Sequence, residues 1–91
     1  MADRSSNSTD LPKITFETFV LSLGTATLVA LGEIENPMTK KKDENLEAAR
    51  QNIDILEILL EKTKGNLSEN ESNLLSGVLF ETRMKFVSKK G

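Results

Sequence analysis

From Thr18 to Gly32 the chain reads TFVLSLGTATLVALG, fifteen residues without a charge in a sequence that is 29% charged. Such a run is a membrane span, a cleaved leader or a buried helix. As a helix it extends about 22 Å at about 1.5 Å per residue, short of the roughly 30 Å hydrocarbon core. Glu17 closes one end and Glu33 and Glu35 the other, so a longer span would bury carboxylates. Four of the fifteen are Ser or Thr. A leader fits no better. Arg4 and Lys13 are mixed with Asp3, Asp10 and Glu17, and VALGEIE offers no clean small-x-small cleavage site. The run therefore reads as a helix of a soluble bundle, with no membrane span.

The flanking signals place three helices. Thr15 is the N-cap of the first, which runs from Phe16 to about Leu31, and Gly32 takes the left-handed position after it. EIENPMTKKKDE, Glu33 to Glu44, is a connector with an Asn36-Pro37 turn. Asn45 or Asp43 caps the second helix, 46–64, and Gly65 follows as its stop. Leu46, Ala49, Ile53, Leu56 and Leu60 recur every three or four residues along it, widened by Ile55 and Leu59. Ser68 and Glu71 form a capping box for the third helix, 69–87. Its Leu74, Leu75, Val78, Leu79, Thr82 and Phe86 make one face, and Phe80, Met84 and Val87 lie on another. Residues 1–14 read as a flexible polar tail, 15–88 as one helical domain and 89–91 as a basic C-terminal tail.

The fold class is all-α. The expected architecture is a three-helix bundle with the apolar first helix at its centre, followed by an antiparallel helical hairpin joined by the short Gly65–Leu67 turn. A chain of 91 residues makes one domain and buries a modest core. That first helix is apolar nearly all round, and two partner helices cannot cover every side of a third. Small residues at Ser22, Ala26 and Ala30 would let another helix approach. The expectation is a homodimer that pools two cores, with Leu23, Ala26, Leu28, Val29 and Ala30 as self-association contacts. Phe80, Met84 and Val87 would be a second contact surface, open to an unidentified protein partner.

The absence of Cys and His removes the usual zinc sites, thiolate and Ser–His catalysis, and imidazole acid–base work. It also fits a reducing cytoplasm. Asp54, Glu57, Glu61 and Glu81 lack the His that helical di-metal sites add to Glu, so they read as a solvated face. For Asp54 two readings stand side by side, a bond to Arg83 or Lys85 of the neighbouring helix and a simply exposed carboxylate. KTKGNLS has neither the preceding strand nor the glycine spacing of a phosphate loop. The reading is non-enzymatic, with no catalytic residue, metal or cofactor. A net charge of −2 is too mild to argue for nucleic acid, so any such case rests on a local patch. The rival reading is RNA or ribosome association through Lys40, Lys41, Lys42, Arg83, Lys85, Lys89 and Lys90, for which a solubilising surface is the plainer account.

Two blocks, FETFVLSLGTATLVALGEI and NLEAARQNIDILEILLEKTKGNLSENESNLLSGVLFETRMKFV, together resemble an uncharacterised bacterial family, domain of unknown function eighteen forty-four. They cover Phe16 to Val87, and IDILEILLEKTKGNL, Ile53 to Leu67, is the most distinctive part. The sequence departs from the pattern at Gly77 and Thr82, where larger, helix-favouring residues are expected. The resemblance implies a compact, all-helical bacterial cytoplasmic protein and implies no activity.

Overall fold

The computed structural model describes residues 13–90. All of the N-terminal tail except Lys13 and Ile14 lies outside them, as does Gly91. Three helices, α1 (Phe16–Ala30), α2 (Leu46–Lys62) and α3 (Glu69–Lys90), pack in all three pairwise combinations. Among the described residues there is no strand beyond one isolated bridge, Asn36 with Lys41.

Each helix starts where a side chain can take its unpaired N–H groups. The Thr18 N–H donates to Thr15 Oγ1 at 3.1 Å, and the Thr15 N–H donates back to Thr18 Oγ1 at 2.9 Å. This box was not legible in the sequence because Thr stands where Glu or Gln usually does. Asn45 Oδ1 accepts from the Ala48 N–H at 3.1 Å and so caps α2. At α3 the expected box is present: Ser68 N–H to Glu71 Oε1 at 2.8 Å, and Glu71 N–H to Ser68 Oγ at 3.1 Å.

The helix ends are more varied. Gly32 has φ 78°, the left-handed geometry expected of it. The Ala30 carbonyl, left over at that end, accepts from the Asn45 N–H at 2.7 Å, which fastens the start of α2 beside the end of α1. α2 stops at Lys62, two residues early, with Thr63 as its cap and the Thr63 hydroxyl bonded to Leu59 O at 2.7 Å. Gly65, at φ 82°, therefore falls one position later than the sequence suggested. α3 runs three residues past its expected end, so Lys89 and Lys90 belong to its last turn. Lys89 is held there by Glu33 at 3.6 Å and Glu44 at 3.3 Å.

The core is Val20, Ile53, Leu56, Leu75 and Leu79, with Leu31 and Ala49 also buried. Placing α1 at the centre of the bundle was incorrect. Each helix buries three residues: Val20, Gly24 and Thr27 on α1, Ala49, Ile53 and Leu56 on α2, and Leu75, Leu79 and Thr82 on α3. The outer side of α1 carries Thr18, Ser22, Thr25 and Ala26, all exposed. Lack of charge implies burial only for large apolar side chains; hydroxyls and a methyl group tolerate water. Even inside, Thr27 and Thr82 satisfy their hydroxyls on their own helices, at Leu23 O (2.7 Å) and Val78 O (2.8 Å). α1 and α3 meet closely at Gly24, where an added Cβ would lie 2.9 Å from Val78 Cγ1.

The connector folds into a tight loop. The Asn36 N–H bonds to Lys41 O at 2.9 Å and the Lys40 N–H to Asn36 O at 2.7 Å, while Asn36 Oδ1 takes the Met38 N–H at 2.8 Å. Closing it puts Lys40 at φ 61°, a conformation costing a non-glycine residue roughly 1–2 kcal/mol. Lys40→Gly removes that strain and loses part of the gain to a floppier unfolded chain. The expected result is a net stabilisation of about 0.5–1 kcal/mol by urea unfolding; a loss of stability would show the loop is not held this way.

Candidate functional site

α3 is apolar on two sides. The inner one carries Leu75, Leu79 and Thr82. On the opposite side Phe80, Met84 and Val87 are 66%, 57% and 67% exposed. With Asn73 and Gly77 they follow a four-three-four-three spacing, the pattern that lines one seam of a helix for another helix. Around Gly77 the space is open, with no atom within 4 Å of an added Cβ. The seam is flanked by Glu81 and Arg83. Arg83 is drawn away towards α2, where Glu57 Oε2 accepts from Nη2 at 2.7 Å and from Nε at 3.0 Å. Both partners are partly exposed, so this pair contributes about 1 kcal/mol at most.

The α1 residues expected to self-associate are mostly engaged within the bundle. Leu23 packs against the core, and Leu28, Val29 and Ala30 are half-buried; only Ala26 is exposed. The large apolar side chains that α1 does expose are Phe19 and Leu21. On α2 Ile58 is exposed, and so is Ile55, which the sequence places at the edge of the inward stripe; of the two widening residues only Leu59 packs on the core. Ile58 had not been singled out, although helical arithmetic from Ala49, Ile53 and Leu56 places it on the far side.

The seven cations of the rival reading are not brought into one free patch. Arg83 is held by Glu57, Lys85 lies 3.9 Å from Glu33, and Lys89 sits between Glu33 and Glu44. Lys90 lies over the Phe86 ring, 5.8 Å from its centroid. Lys40, Lys41 and Lys42 project from the connector, exposed. Asp54 pairs with Arg50 one turn earlier on its own helix, at 3.6 Å, and not with Arg83 or Lys85. Among the described residues no group of three acidic, His or Cys side chains stands together as a metal site. An open cleft of about 600 Å³ lies between α2 and α3, with Leu60, Leu67 and Leu79 in its wall and Glu57, Glu61, Lys64 and Arg83 at its edge. Among the described residues no buried side-chain polar atom lacks a hydrogen-bond partner.

What these observations define is a small three-helix bundle with an inner core and a second, solvent-facing apolar seam. The chain belongs to the family described as a domain of unknown function, DUF1844, whose sequence model matches residues 13–88. No curated protein and no solved structure matches it. Among the described residues no helix is long and apolar enough to cross a membrane.

Proposed function

We propose that this is a non-enzymatic interaction protein of the cytoplasm that works by self-association into a homodimer, with the outer seam of α3 as the shared surface. The observation that carries the proposal is the exposure of Phe80, Met84 and Val87 at helix-pairing intervals, on the side of α3 turned away from the core. Three large apolar side chains in one line form a patch that water disfavours and another helix accommodates. The cytoplasmic setting rests on the cysteine-free sequence. α2 and α3 form the antiparallel hairpin in this reading, supported by a shallow cleft that Leu46, Glu47, Arg50 and Gln51 share with Phe86 and Lys90. A hairpin leaves the outer side of α3 open along its whole length. The α1 contacts named from the sequence become secondary, because four of the five are half-buried.

The test is absolute mass by light scattering from low to high micromolar concentration, on the full chain and on Phe80→Glu/Met84→Glu. The wild type is expected to double its mass. The double variant is expected to dimerise about a hundredfold more weakly, since each anchor contributes more than about 1 kcal/mol. Its melting temperature should match that of the wild-type monomer, since neither side chain belongs to the core. A wild-type chain that stays monomeric while unfolding cooperatively overturns the proposal.

A further inference from the structure

Gly24 and Gly77 both lie in mid-helix, and only one has a contact inside the chain that requires it. At Gly24 a side chain would collide with Val78. At Gly77 nothing is near, and an exposed glycine in mid-helix weakens that helix relative to alanine. Gly77 stands on the seam itself, one step before Phe80. No contact within the monomer accounts for it.

Resting on the self-association proposed above, we infer that α3 packs antiparallel on α3 of a second copy, with Gly77 as the notch that receives Val87 of that copy. A twofold axis level with Thr82 sets Phe80 against Met84 of the second chain, and Met84 against its Phe80. Every large apolar residue of the seam then meets an apolar residue or the open notch, and the sulfur–aromatic pairing is favourable. Knob and notch lie on the same helix, as a twofold interface requires. In a parallel pairing Gly77 faces Gly77 and leaves an unfilled layer, while Phe80 crowds Phe80. Near the axis each flank meets its own copy: the retraction of Arg83 onto Glu57 removes one like-charge encounter, while Glu81 faces Glu81 of the second chain on the other flank, so the pairing tightens as salt screens that pair. From Asn73 to Val87 the seam is about 21 Å long and one helix wide. At about 10 Å of width that strip covers roughly 200 Å² per partner, well short of the ~800 Å² of a standard interface, so it fits a weak, concentration-dependent dimer.

Two experiments test the geometry. Gly77→Gln fills the notch with a good helix former and adds no apolar surface. It is expected to raise the melting temperature measured at low concentration by about 4 °C, and to weaken dimerisation at least about tenfold. The chain has no native Cys, so Ser76→Cys/Lys90→Cys carries only the two introduced thiols. Within one chain these are about 21 Å apart and cannot bridge; across the antiparallel seam they are neighbours on the same flank. Mild oxidation should give a covalent dimer. Ser76→Cys/Glu81→Cys, which a parallel pairing would juxtapose, should stay reducible-monomer on a gel. A wild-type dimer that is unaffected by Gly77→Gln, or that cross-links through 76 and 81, overturns this inference and leaves self-association standing. A wild-type monomer overturns both.

Discussion

Leu75→Ala is expected to destabilise the protein by about 3 kcal/mol. Leu75 is fully buried and lies in the core cluster with Val20, Ile53, Leu56 and Leu79. Truncation loses the transfer free energy of the removed carbons and leaves a cavity that three short helices can only partly collapse into. Total stability for a chain of 91 residues is roughly 5–14 kcal/mol, so the variant loses a large share of it. Urea unfolding should show a lower midpoint at unchanged slope. A loss below about 1 kcal/mol would mean that the core is not built around this residue.

Gly24→Leu acts through a different mechanism. The substitution improves helix propensity by about 1 kcal/mol, yet its Cβ alone would lie 2.9 Å from Val78 Cγ1. Val78 is β-branched and has few rotamers to retreat into, so α1 and α3 must separate. The expected net loss is about 2 kcal/mol. Combining it with Val78→Ala should recover part of that loss, because the two residues are in contact. Strict additivity of the two substitutions would show that α1 and α3 do not meet at this point.

Much of the architecture was legible from local signals. Thr15, Asn45 and Ser68 marked where the helices begin, and Gly32 marked an end, because caps are decided within four or five residues of chain. The Leu46-to-Leu60 stripe announced which side of α2 faces inward, through spacing alone. The two-sided character of α3 was also visible, since Phe80, Met84 and Val87 fall away from the Leu75–Leu79–Phe86 side on the same arithmetic. Less legible were features set by distant chain. Whether Lys89 continues α3 depends on Glu33 and Glu44, more than forty residues earlier. The left-handed Lys40 follows from how the connector must close between two helices already fixed in place.

The sequence by itself determined three helices, their caps and their inward stripes, because these depend on hydrogen bonds and periodicity over one or two turns. Tertiary structure decided how burial is shared. The uncharged TFVLSLGTATLVALG buries one side of α1 and leaves Thr18, Ser22 and Thr25 in water, and it is α3 that keeps a second apolar line exposed. A residue's own chemistry sets only what burying it is worth. Whether it is buried depends on the other two helices, and in a bundle of three each helix has only two neighbours to be covered by.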